Sequence, residues 1–461
     1  MSLDVAANIA RQSLIASQYQ LSLSGRNVSA AADPDRARVA PTLATTIDGG
    51  IRVAGVRRAE DTAVYNRMVA ATAAAAERDA VLSQMNVLAQ SVGDPQNGTS
   101  IGAMIGELQS AVANYANAPD DPLFGRTVIE RAHDIADKLN RVTSDMLLLR
   151  EQADAEMARS VDEVNRLLVE FDAANDAVVQ GTVRGTDITM ELDRRDALVA
   201  DIAQHLGVDV IRGENNDYAL YTDGGVTLYE HGIRTVSFAR TAVYTPGANG
   251  GQVFVDGLEV TGPDAPMPSR TGAIVGNAAV RDTIVPTFQL QMDEIARELT
   301  TIFADGTGSL FVNGGGPDFA GTIAVAADVD PAQGGTVENL RDGTGNPGGF
   351  AAFSDRLFAL GDALTAVTTF DPQTELASNS RLTDFATESA GWVEAIRQTV
   401  TIQAETEQAI LIQAQDALSR ATGVNLDDEY AQQLMIERNF NASSRLIGII
   451  DEMFETLLRI T

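Results

Sequence analysis

Three patterns in this 461-residue sequence hold residue types that could do chemistry. Gly343-Thr344-Gly345-Asn346-Pro347-Gly348 has the spacing of a dinucleotide-binding glycine loop, where bare backbone approaches a pyrophosphate at a helix N-terminus. That chemistry needs a buried strand before the loop. Glu338-Asn339-Leu340-Arg341-Asp342 is not one, so a flexible loop is the better reading. Asp328-Val329-Asp330 opens like a calcium loop, but no full twelve-residue pattern with its final Glu follows, which leaves solvated turn polarity. His133, His205 and His231 are scattered, with no pair at the spacing of a zinc helix; each is expected on the surface or in helix packing. Trp392 shares a helical stripe with Ile396 and Val400, which predicts core packing or a subunit contact. No serine nucleophile elbow is present.

Composition removes further classes. There is no cysteine, hence no disulfide framework, thiolate metal site or cysteine nucleophile. Lys138, preceded by Asp137, is the single lysine, so no phosphate-binding Gly-Lys-Ser/Thr loop exists. Acidic residues number 64 against 33 basic ones, a net charge of −31 that argues against nucleic acid. No apolar run approaches the roughly 18 residues of a membrane span, and Met1-Ser2-Leu3-Asp4-Val5 lacks the basic and apolar regions of a cleaved signal. The expectation is a chain without catalytic, cofactor or metal residues, neither membrane-spanning nor exported through a cleaved signal.

The elements are easier to read than any site. Leu3, Ala7, Ala10, Leu14, Ser17, Leu21, Ser24 and Val28 step alternately by four and three, a heptad seam on one helix. Asp33-Pro34 ends it, and Thr45 to Val53 reads as a hairpin. Residues 59–92, 101–116 and 121–180 read as helices, the last long enough for one helix or two in series. Asp94-Pro95-Gln96-Asn97-Gly98 is a turn cluster. Short β-like runs with Gly turns fill 206–275. Helix returns at 278–303, residues 304–350 look like a Gly-rich surface excursion, and helices at 351–369 and 386–461 follow, broken at Gly423. A second seam, Ile436, Phe440, Ser443, Ile447, Ile450, Phe454 and Leu457, mirrors the first. Residues 1–60 carry seven Arg against five acids, and 424–461 three Arg against seven acids, so the two ends are complementary partners. The fold class is mainly α with an inserted β domain and coiled-coil termini, nested as 1–45, 46–205, 206–275, 276–424 and 425–461.

The C-terminal run carries a resemblance. Gly423-Val424-Asn425-Leu426-Asp427-Asp428-Glu429, Asn441-Ala442-Ser443-Ser444-Arg445-Leu446-Ile447 and Ile450-Asp451-Glu452-Met453-Phe454-Glu455-Thr456-Leu457-Leu458 resemble the C-terminal signature of flagellar axial proteins. Glu191-Leu192-Asp193-Arg194-Arg195-Asp196-Ala197-Leu198, Arg126 to Asn140 and Gly276 to Leu299 narrow it to the hook-associated protein 1 family of the hook–filament junction. Residues 27–36 depart from the pattern usual after that family's first helix.

The resemblance implies a structural subunit exported by the flagellar type III apparatus and located in the extracellular flagellum. It implies the hook protein, a second junction protein, further copies of itself in a ring and a cytoplasmic export chaperone at the C-terminal helix as partners, with no nucleic acid, membrane or cofactor. Another axial protein is the alternative, and a secreted enzyme a remote one. The assembly interface is expected at Leu3, Leu14, Leu21, Val28, Ile436, Phe440, Ile447, Ile450, Phe454 and Leu457. Burial of six of these, at roughly 1.5–3 kcal/mol each, would give on the order of 10 kcal/mol gross. Ordering entropy offsets much of it, so the ends are expected to fold on assembly.

Overall fold

A single 63-residue helix, Pro122–Arg184, runs through both hydrophobic cores of the protein. Asp121 caps its first turn by accepting from the Leu123 N–H, and Pro122 fits where no amide is needed. Buried residues recur along it from Val128 to Val178 at steps of three and four, with no Gly or Pro break strong enough to divide it. It stops at Gly185, whose φ of 69° is the left-handed region that favours glycine. At 1.5 Å per residue the helix is about 95 Å long.

The computed structural model describes residues 3–93, 97–245, 247–314 and 317–460. In chain order the elements begin with α1 (Leu3–Ala30) and the antiparallel hairpin β1 (Val39–Thr45) and β2 (Ile51–Arg58). Helices α2 (Thr62–Val92), α3 (Ile101–Asn117), α4 (Pro122–Arg184) and α5 (Thr189–His205) follow. Two antiparallel three-stranded sheets come next. One holds β3 (Val208–Arg212), β4 (Tyr218–Thr222) and β5 (Thr227–Tyr229), the other β6 (Val236–Phe238), β7 (Val253–Val255) and β8 (Leu258–Glu259). Helix α6 (Ala273–Ala279) passes through a π turn, Val280–Ile284, into α7 (Val285–Ile302). The small elements β9 (Phe311–Val312), α8 (Phe319–Thr322), β10 (Ala324–Val325) and α9 (Val337–Asp342) precede α10 (Asp355–Thr365) and the pair β11 (Val367–Thr369) and β12 (Asn379–Arg381). Helices α11 (Leu382–Thr422) and α12 (Leu426–Ile460) complete the described chain.

One core gathers the C-terminal half of α2, α3, the first half of α4, α7 and α9–α11. The other gathers the N-terminal half of α2, the second half of α4, α5 and both sheets. Near their meeting point, the carboxylate of Asp154 on α4 is fully buried and fully used. It accepts from Arg281 Nη1 at 2.7 Å, the Tyr244 hydroxyl at 2.8 Å and the Thr241 N–H at 3.0 Å. Arg281 belongs to the π turn and also donates to the Gly251 carbonyl at 2.6 Å. The network therefore anchors Thr241, Tyr244 and Gly251 onto α4 and the π turn, since buried polar groups need partners.

The structure is mainly α with small inserted sheets and long terminal helices, as the periodicity predicts. It also differs in detail. The hairpin spans 39–58, across the expected boundary at 45/46. The β-like runs between 206 and 275 form two three-stranded sheets. The 304–350 segment is no surface excursion: Leu310, Phe311, Ile323, Val325, Val329 and Leu340 are buried in the core beside α4 and α7. Its Gly and Pro residues obscure the single apolar residues that anchor it. Helix 351–369 shortens to Asp355–Thr365 because Val367–Thr369 pairs as a strand with Asn379–Arg381. Of the 94–98 turn cluster, residues 94–96 lie outside the described residues.

Candidate assembly interface

The residues that could have done chemistry serve the fold. Asn346 braces its own glycine loop, donating to Asp342 at 2.7 Å and to the Phe350 carbonyl at 3.0 Å. Asp330 caps a turn through the Ala332 N–H at 2.9 Å and sits 3.1 Å from His133 Nε2, while Asp328 accepts from the Gly308 N–H. His205 pairs with the Ser160 hydroxyl at 3.2 Å, and exposed His231 lies 3.4 Å from Asp217. Half-buried Trp392 packs on the first core and donates to Glu375 at 3.3 Å. Among the described residues no three potential metal ligands cluster.

The two ends of the chain meet instead. Helices α1 and α12 lie side by side and antiparallel: Ser24 contacts Glu429, and Ser13 lies opposite Ser443 with hydroxyls 2.9 Å apart. The seams face each other as their spacing requires. Ala10, Ser17 and Ser24 are buried on α1, and Ile436 and Ile450 are 4% and 3% exposed on α12. The other expected interface residues are less covered. Leu3, Leu14, Val28, Phe440, Ile447 and Phe454 are half-buried, and Leu21 and Leu457 are 48% and 50% exposed. Outside the seam, Ile15, Tyr430, Leu434, Met435, Ile449 and Met453 also show large apolar surface. Leu21, Tyr430, Leu434 and Phe440 line a groove between the helices.

A polar clasp closes the inner end of the pair. Glu429, in the first turn of α12, is only 1% exposed. Its carboxylate accepts from the Ser24 hydroxyl at 2.6 Å, Asn27 Nδ2 at 3.0 Å and Arg38 Nε at 2.7 Å. Asn27 also pairs both ways with the backbone of Val39, at 2.9 Å each, and so carries β1. The Arg38 N–H donates to the Thr422 carbonyl at 2.7 Å, and its guanidinium to Gln432 at 2.8 Å. Sequence reasoning missed this clasp. The available signal was the α12 heptad itself: stepping back from Ile436 by three and four lands on Gln433 and Glu429, two polar residues at seam positions.

A second ionic set joins this unit to the helical body. Arg58 on β2 is paired with Asp193 and Asp196 of α5, and Arg26 on α1 with Asp187 just before α5. Burial works against the Arg58 charge, but Asp196 and Asp193 outweigh it and hold its pKa above the usual value. Burial likewise raises Asp193 above the usual carboxylate range, against the pull of Arg58. The arrangement can hold and orient the paired terminal helices; it offers no nucleophile poised beside a base.

Known proteins resemble the chain in its helical body and its C-terminal segment. The sequence model "Flagellar hook-associated protein FlgK helical domain" matches residues 85–306. "Flagellar basal body rod FlgEFG protein C-terminal" matches residues 412–460, which hold all of α12. Flagellar hook-associated protein 1 of Escherichia coli is 22% identical over 189 residues, covering 40% of this chain and 34% of that protein. The flagellar hook junction protein FlgK from Burkholderia pseudomallei superposes over 54% of this chain and 47% of its own, with 21% identity and a TM-score of 0.45. By its helical body and its C-terminal segment together, the matches support flagellar hook-associated protein 1 (FlgK) as the family that this chain resembles.

Proposed function

We propose that this chain is a structural subunit of the hook–filament junction, held in the flagellar tube by its terminal helix pair. The observation that carries this is the apolar surface left on that pair. Of the ten residues expected at the assembly interface, only Ile436 and Ile450 are fully buried in the single chain. Leu21 and Leu457 stay about half exposed, and Tyr430, Leu434, Met435, Ile449 and Met453 add to them on α12. Contiguous apolar surface of this kind marks a contact site. Two fully buried large side chains on a 35-residue helix give roughly 3–6 kcal/mol gross. Ordering so many residues costs more than that. Neighbouring subunits supply the remaining burial, so the ends order fully on assembly. The partners are further copies in a ring, the hook protein below and a second junction protein above. An export chaperone covers the α12 surface before type III secretion. The role is mechanical and needs no cofactor, and among the described residues no helix is long and apolar enough to cross a membrane.

The match of residues 412–460 to a rod-protein C-terminal segment favours one second reading, another axial protein such as the hook protein. Electron microscopy with an epitope tag in an exposed body loop separates the two. A junction subunit is labelled as a narrow band at the distal end of the hook. Label along the hook, the rod or the filament would contradict the junction reading.

A further inference from the structure

We propose that Glu429 is the positioning residue that sets the register of the terminal helix pair. A heptad seam fixes which faces meet, but not by how many heptads one helix is displaced along the other. The seam of α1 is mostly small residues with two leucines, Ala7, Ala10, Leu14, Ser17, Leu21 and Ser24, and little in it distinguishes one heptad from the next. A seven-residue slip keeps apolar residues on the seam and preserves most of its burial. A single buried polar residue at a seam position breaks such degeneracy, because it is satisfied in one register alone.

Glu429 has that position and that chemistry. It sits seven residues before Ile436 on the same seam, is 1% exposed, and carries a carboxylate. Its three donors come from two places: Ser24 and Asn27 on α1, and Arg38 just before β1. The Asn27 bonds to Val39 hold that strand against α1, so Arg38 cannot follow a sliding α12. A slip that put Ser17 opposite Glu429 would leave the carboxylate buried without its cation. Desolvation of an unpaired charge makes that register unfavourable. Arg38 is further tied to Thr422, at the end of α11, so the same clasp fixes where α12 starts relative to the body. The consequence is that the exposed residues of α1 and α12 are presented at one fixed offset. This deepens the assembly reading above, and its test traps by crosslinking the pairs that form, even transiently, in the monomer, where failure to polymerise has no influence.

The absence of native cysteine makes the test clean. Ser13→Cys with Ser443→Cys reports the observed register, since the two hydroxyls are 2.9 Å apart. Ala6→Cys or Gln20→Cys, each with Ser443→Cys, reports a slip of one heptad in either direction. Each pair is oxidised mildly in full-length monomer and mapped by mass spectrometry. With Glu429 present, the 13–443 bridge dominates by roughly tenfold or more. In Glu429→Ala the 6–443 or 20–443 bridge rises to a yield comparable to 13–443. Ile450→Ala weakens pairing by loss of apolar burial, yet keeps the 13–443 preference among the bridges that form. Unchanged dominance of 13–443 in Glu429→Ala would overturn the proposal. So would loss of all three bridges together with the helical signal of the ends, which would make Glu429 a stabilising residue and no more.

Discussion

Single side chains decide the behaviour of the helical body in two places. Asp154 is the fully buried one of the two carboxylates paired with fully buried Arg281. Asp154→Ala leaves that guanidinium with Asp282 and the Gly251 carbonyl, and deprives Tyr244 and the Thr241 amide of their acceptor. Removing one partner of a buried pair costs about 3–5 kcal/mol, so the urea midpoint of the body should fall steeply while the ends are unaffected. Asp293 on α7 offers a test by pH. Burial raises its carboxyl to about 7, against the pull of the Ala320 and Phe319 amides and with a further push from Asp318 and Glu294. The Ala320 N–H donates to it at 2.8 Å, docking α8. An acid with a raised folded-state pKa holds its proton where the unfolded chain has lost it. Its contribution therefore declines as pH rises from about 4 to about 7 and is level above that. Asp293→Asn keeps the acceptor oxygen without the charge. It should be more stable than the parent by a few kcal/mol at pH 8, and little different at pH 4. Urea unfolding of both proteins at the two pH values checks this; an equal difference at both would show that Asp293 ionises normally.

At the scale of elements, the terminal pair should be the least stable part of the free monomer. It rests on few buried side chains, whereas α4 buries a residue at nearly every turn. Limited proteolysis should trim roughly the first 30–60 and last 30–40 residues and leave the body intact. Equal resistance of ends and body would mean that the pair needs no neighbours. The long helices were legible in the sequence because their period is carried by many residues; α4 and both seams follow directly from it. The segment 304–350 was not. Its core contacts are made by isolated residues such as Phe311 and Leu340, separated by Gly, Asp and Pro, and no window holds a period. The clasp was legible only in part. Glu429 stands in the seam, but its donors Ser24, Asn27 and Arg38 lie some 400 positions away, and only the antiparallel pairing brings them to it. The ionic joint of Arg58 with Asp193 and Asp196 has the same cause: local sequence shows charges, not which of them will be buried together.

For the whole molecule, the charge and the missing cysteines take on meaning from the proposed assembly. Residues 1–60 and 424–461 are nearly balanced and complementary, so most of the net −31 lies on the segments between them. Like charge there keeps a monomer soluble, while the ends remain free to pack. Under the proposed export, a chain without thiols would have none to crosslink outside the cell. These properties suit a subunit that joins two tubes through its ends and presents a body between. Deleting the gene and restoring it on a plasmid tests that claim most directly. A junction subunit predicts that deletion leaves hooks of normal length without filaments, with unpolymerised flagellin in the medium, and that the restored chain returns the filaments. Normal filaments on the hooks of the deletion strain would contradict it.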